Sequence, residues 1–136
     1  MEEFYLLIAG SRTFNDKALL CRTADSMLST KVEEGCAIHI VEGEARGADT
    51  LARDYAQDRG YALHKFPAQW DTLGKRAGYA RNRQMHEFIA QFPGRGCLLF
   101  WDGESRGTAH NFGLCREFGT QMRVFNYKTN TFVKPE

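Results

Sequence analysis

The sequence lacks most of the features that assign a chain to a class at sight. There is no C-x-x-C pair: Cys21, Cys36, Cys97 and Cys115 stand far apart, at no spacing used by zinc motifs. The expectation is therefore reduced thiols in a cytoplasmic protein, with no metal site and no disulfide framework. No apolar run approaches the roughly 18 residues of a membrane helix, and the N-terminus shows no basic-then-apolar signal sequence, so no membrane partner is expected. Excess charge is missing too. Eighteen Lys and Arg against 17 Asp and Glu leave +1, too weak a field to draw in nucleic acid or a membrane surface. No linker or low-complexity tract divides the 136 residues, which suit one domain with a full core.

What is present is a regular alternation. "FYLLIAG" (4–10) is a short apolar run closed by Gly, the pattern of a strand buried on both faces. "CAIHIVEG" (36–43), "YALHKF" (61–66), "CLLFWDG" (97–103) and "MRVFNY" (122–127) repeat it. Between them run helical stripes: Leu20, Ala24 and Met27 after a cap at Asn15 or Asp16; Ala48, Leu51, Ala52, Tyr55 and Ala56; Met85, Phe88, Ile89 and Phe92. A last helix is expected from near Thr108 to Gly119. Five strands and four helices predict an α/β fold. It is a single Rossmann-like domain over residues 1–127, with a mostly parallel five-stranded sheet in the order 3-2-1-4-5 and helices on both faces. Residues 128–136 read as a polar C-terminal tail.

The most informative feature is a loop written twice. Glu42-Gly43-Glu44-Ala45-Arg46-Gly47-Ala48 returns as Asp102-Gly103-Glu104-Ser105-Arg106-Gly107-Thr108. Each copy joins a strand end to a helix start, where glycines admit a ligand to the backbone and unpaired N–H groups attract anions. An Arg in each copy can add a bidentate contact. Coincidence of two Gly-rich turns is the competing explanation. Neither copy is a G-x-G-x-x-G or a Walker loop, and the missing P-loop lysine argues against a kinase or ATPase. In the strand order above, both copies flank Gly10-Ser11-Arg12 where the winding direction reverses, so the three loops are expected to form one pocket. Arg81 and Asn82 fall in "QWDTLGKRAGYARNRQM" (69–85), a long loop entering a helix near Gly78, and are expected in that helix's first turn. Trp70 and Phe66 either stack on a base or pack over a core edge.

The set "AGSRTF", "EGEARGAD", "GYARNRQM" and "WDGESRGT", in that order over about residues 4–125, resembles the YspA/cpYpsA-related branch of the SLOG superfamily. The resemblance implies a Rossmann-like domain that binds nucleotides or nucleotide-derived molecules, such as ADP-ribose or NAD-related compounds. It assigns ligand contacts to Gly10, Ser11, Arg12, Gly43, Gly47, Asp49, Arg81, Asn82, Gly107 and Thr108. The duplicated loops add Arg46, Asp102, Gly103 and Arg106 to these. The related Lonely Guy phosphoribohydrolases carry a Glu three residues beyond the Thr, and here that position is Asn111. The branch also has small or neutral residues where this chain has Glu42 and Glu44.

The leading expectation is a binding protein acting as sensor, carrier or sequestering agent for such a molecule, with no cofactor and with some self-association through Phe112, Leu114, Cys115 and Phe118. The alternative is an N-glycosidase or phosphoribohydrolase using Arg81 with Glu44 or Glu104. A single-stranded nucleic-acid binder comes third, against the near-zero net charge. An α/β domain with no small-molecule ligand is the bland reading.

Overall fold

The apolar runs become neighbouring strands because each has two faces to bury and helices available for both. In the computed structural model, residues 2–133 are described; Met1 and residues 134–136, the ends of the expected domain and tail, lie outside them. The strands are β1 (Glu3–Gly10), β2 (Ala37–Glu42), β3 (Ala62–Lys65), β4 (Arg95–Trp101) and β5 (Met122–Asn126), mutually parallel.

The sheet has six strands where five were expected. Its order is β3-β2-β1-β4-β5-β6, and the addition, β6 (Thr131–Val133), pairs antiparallel with β5. It lies in the segment read as a polar tail. A turn folds it back: the Asn126 side-chain oxygen accepts from Lys128 N at 2.9 Å and Thr129 N at 3.2 Å, and Asn130 takes a φ of 60°. Phe132 then meets Phe125 edge-on, with centroids 5.1 Å apart. Three residues are too few for alternation to be visible in sequence.

The helices are α1 (Lys17–Glu33), α2 (Ala48–Arg59), a single turn α3 (Trp70–Leu73), α4 (Ala77–Ile89) and α5 (Arg106–Phe118). α3 and a 3₁₀ turn at Gly74–Arg76 occupy the stretch expected as a long loop. Asp16 caps α1, accepting from Leu19 N at 3.0 Å. α1 and α2 cover one face of the sheet, packing Leu20, Leu28, Ala52 and Tyr55 on Leu6, Ile8, Ile40 and Phe100. α4 and α5 cover the other, with Met85, Ile89 and Cys115 on Leu7, Val41, Cys97 and Leu99. Of the residues expected to mediate self-association, Leu114 and Cys115 are buried within the chain, and Phe112 and Phe118 are half-buried.

Candidate ligand site

The strand order reverses between β1 and β4, and the loops after β1, β2 and β4 all emerge at the carboxyl edge beside that point. They are knitted to one another. Ser11 N donates to Phe100 O at 2.9 Å, and Ser11 Oγ accepts from Asp102 N at 3.3 Å. Gly47 holds a φ of 78°, and a Cβ there would stand 2.4 Å from Ser11 O, so only glycine lets the β2 loop lie on the Ser11-Arg12 backbone. At Gly43 a Cβ would meet the Arg81 side chain at 2.7 Å.

The two copies of the repeated frame fold differently. Both begin alike: Glu42 Oε1 accepts from Glu44 N at 2.6 Å, and Asp102 Oδ1 accepts from Glu104 N at 2.9 Å. They then part. The first copy takes positive φ at Glu44 (61°) and Gly47, and its helix starts at Ala48 with Asp49 accepting from Ala45 N at 3.2 Å. The second takes positive φ at Gly103 (87°), its Asp102 also accepts from Ser105 N at 2.7 Å, and its helix starts two positions earlier in the frame, at Arg106. The shorter Asp reaches the N–H at i+3 and starts the helix sooner; Glu42 makes no such second bond. The second copy therefore presents a helix N-terminus, and the first a shaped turn.

A cavity of about 460 Å³ opens at the reversal. Of the expected ligand residues, Gly10, Ser11, Arg12, Asp49, Arg81, Asn82, Asp102, Gly107 and Thr108 line it. A second chamber of about 500 Å³ is lined by Gly43, Glu44 and Arg46, and shares Arg12, Ala45, Trp70 and Arg81 with the first. Gly47, Gly103, Glu104 and Arg106 line neither. Trp70, 48% exposed, stands between the chambers with the Arg12 guanidinium 5.8 Å from its ring centroid. Phe66 instead packs against Phe88 on the α4 side of the core. Lys75 of the 3₁₀ turn, Tyr79 of the first turn of α4 and Ser105 just before α5 also line the first cavity, and no motif or spacing in the sequence marks them as cavity-facing.

Arg81 is the electrostatic centre. It sits in the second turn of α4, not the first, because the helix begins before Gly78. It is only 9% exposed; Nη1 donates to Gly43 O, and Nε donates to Asn82 Oδ1 at 2.9 Å. Among the described residues no carboxylate lies within ion-pair distance of Arg81 or Arg12. Burial lowers the Arg81 pKa; Asp49 works against that shift, and Arg12 adds to it. Asp49 is raised to about 6 by burial, offset in part by Arg81. Burial also lifts Glu42 to about 8, and its Oε2 has no hydrogen-bond partner among the described residues. Glu42, which lines neither chamber, is thus held toward its protonated form behind the β2 loop, while the Arg81 guanidinium on the cavity wall is only partly offset by Asp49. Asn82 extends the array, its Nδ2 3.4 Å from Gly107 O and 3.3 Å from His110 Nδ1.

Asn111, where the related hydrolases carry Glu, also lines the first cavity, and its Oδ1 accepts from His86 Nε2 at 3.0 Å. The amide oxygen is thus committed to a buried histidine.

A profile of the YspA, cpYpsA-related SLOG family matches residues 4–72, which hold the first two loops. The Gene 61 protein of Mycobacterium phage D29 is 33% identical over 130 residues, covering 90% of this chain and 97% of its own length. The chain belongs to the YspA, cpYpsA-related SLOG family. Arg81, Asn82, Gly107 and Thr108 lie beyond the matched segment, so in this SLOG protein their standing rests on the geometry above. DNA processing protein A from Streptococcus pneumoniae shares the fold, with a TM-score of 0.62 at 16% identity. The SLOG chain covers half of that chain's length, and 90% of its own residues take part. No helix among the described residues is long and apolar enough to cross a membrane.

Proposed function

We propose that this protein binds a phosphate-bearing nucleotide or nucleotide-derived small molecule, of the ADP-ribose or NAD-related kind, as a sensor, carrier or sequestering protein of the cytoplasm. The observation that carries the reading is Arg81, a buried guanidinium with no carboxylate within ion-pair distance among the described residues, lining the cavity at the N-terminus of α5. Burying a cation that only the Asp49 carboxyl partly offsets costs free energy that an arriving anion recovers. Phosphate supplies that anion and accepts from the free N–H groups at the start of α5. Two chambers joined through Arg12, Trp70 and Arg81 suit a ligand with two polar ends, and a half-exposed Trp70 gives a base or ribose a surface to stack on.

A second reading is N-glycosidic cleavage. It is favoured by Glu44, which shares the second chamber with Arg81. Glu104, the other candidate acid, lies outside both chambers.

The test is one incubation. The protein is mixed with nucleoside monophosphates, NAD, ADP-ribose and a single-stranded oligonucleotide, and bound and released species are read by mass spectrometry. Recovery of an intact small nucleotide supports the proposal. Free base would promote the glycosidase, and capture of the oligonucleotide alone would replace a small-molecule site with a nucleic-acid one.

A further inference from the structure

Beneath the cavity floor, on the α4/α5 face of the sheet, three residues far apart in sequence converge. His86 comes from α4, Cys97 from β4 and Cys115 from α5; one ring nitrogen and the two sulfurs lie within 4.8 Å of one another. All three side chains are fully buried, at 1% exposure or less. The histidine is already oriented. Asn111 Oδ1 can only accept, so the His86 Nε2 facing it carries the hydrogen, and Nδ1 presents a bare lone pair. That Nδ1 has no hydrogen-bond partner among the described residues. A metal-binding histidine has this arrangement, with one nitrogen held by an oxygen acceptor and the other left for the ion. Cys21 and Cys36, the other two thiols, stand outside the group and are partly exposed.

We propose that His86, Cys97 and Cys115 form an internal binding site for a thiophilic closed-shell metal ion, zinc(II) or copper(I). The ligand set is soft, which selects these ions over magnesium, calcium or manganese. Metal–sulfur bonds of about 2.3 Å and metal–nitrogen bonds of about 2.0 Å put ligands of one ion roughly 3.5–3.8 Å apart, so a small side-chain adjustment closes the present spacing. Zinc(II) binding exchanges both thiol protons, released to solvent, for the ion, and copper(I) binding exchanges one, leaving the second sulfur as a neutral thiol ligand; neither changes oxidation state. Two thiolates cancel the charge of zinc(II), which suits a dry core; copper(I) is satisfied by three soft ligands without a fourth. The ion would join α4, β4 and α5 directly under Asn111, which lines the ligand cavity. Because all three side chains are fully buried, loading accompanies folding.

The experiment uses the full chain carrying Cys21→Ser and Cys36→Ser, so that any thiolate–metal signal arises from Cys97 and Cys115. The reduced, chelator-stripped protein is unfolded and refolded with cobalt(II), and the thiolate-to-cobalt charge-transfer band is recorded. Zinc(II) and copper(I) are then added in separate arms. The expected result is a charge-transfer band at one cobalt per chain, lost when His86→Gln or Cys115→Ser is added, and bleached by the ion the site prefers. In parallel, zinc(II) or copper(I) raises the melting temperature of the Cys21→Ser, Cys36→Ser protein, a readout that stands even if Cys115→Ser fails to fold. Absence of both the band and the melting shift would overturn the site, leaving Cys97 and Cys115 as buried reduced thiols beside a neutral histidine. A band that survives His86→Gln at full intensity would overturn the assignment of the nitrogen ligand.

Discussion

The α-carbon of Gly47 lies against the backbone of Ser11, so close that a methyl group on it would stand 2.4 Å from the Ser11 carbonyl oxygen. Its counterpart in the second copy of the loop, Gly107, has nothing within 4 Å of the same position and an ordinary φ in the first turn of α5. Gly47→Ala is therefore expected to cost about 1–3 kcal/mol, through left-handed strain and the clash together. Gly107→Ala should be neutral or stabilise by up to about 1 kcal/mol, because Ala is the better helix former. Urea denaturation of both variants checks this. Equal losses would mean the two loops share a backbone after all.

Arg12 and Arg81 should separate binding from folding. Arg12 is exposed and has no carboxylate partner among the described residues, so Arg12→Ala should move stability by no more than about 0.5 kcal/mol. Arg81→Lys keeps the charge and loses the planar fork. Each should weaken nucleotide affinity about ten- to a hundredfold, the worth of a charge-assisted contact. For the wild type, ligand at about 100 times its dissociation constant should stabilise by roughly 2.7 kcal/mol. Calorimetry showing unchanged affinity in both variants would remove these arginines from the site.

Stability should fall as pH rises through neutrality. Glu42 is held at about 8, against an ordinary 4.5, chiefly by burial. Between those values the unfolded chain has released a proton that the folded chain keeps, which favours unfolding. Asp49 acts in the same direction between 3.8 and about 6. His86, pushed down to about 4 from 6.5 by burial, acts oppositely: stability drops as pH falls through that window, where only the unfolded chain takes up the proton. Glu42→Gln keeps the acceptor for Glu44 N and cannot ionise. Its thermal melts should lose much of the alkaline decline, gaining on the order of 1–3 kcal/mol over wild type near pH 8. A decline as steep as the wild type's would sink the assignment.

Nucleoside monophosphates should survive incubation with the protein intact. The position where the related hydrolases hold a carboxylate is Asn111, whose oxygen accepts from His86, and an amide neither takes a proton at neutral pH nor offers a full negative charge. Loss of such a group costs about 10²–10⁴-fold in rate. Chromatography of AMP, GMP, CMP and UMP digests should show no free base, in wild type and in Glu104→Gln alike. Turnover abolished by Glu44→Gln would reverse the conclusion and make Glu44 the acid.

Periodicity alone determined the architecture of the central sheet. Mostly apolar strands of four to eight residues alternating with amphipathic helices of three turns or more leave few ways to bury both faces, and the expected reversal between β1 and β4 brings Ser11, Arg81 and Thr108 to one cavity. The sixth strand is not legible because three residues carry no pattern, and its pairing follows a turn held by the Asn126 side chain and by Thr129. The repeated frame was legible as sequence, but its backbone was not. A Glu in one copy and an Asp in the other place the first helical N–H groups differently, and the packing of Gly47 on Ser11 has no counterpart at Gly107. Burial was beyond the sequence as well. Arg81 without a carboxylate, Glu42 kept protonated, and His86 brought to Cys97 and Cys115 across three elements all arise from long-range packing, which places groups with no regard to their spacing along the chain.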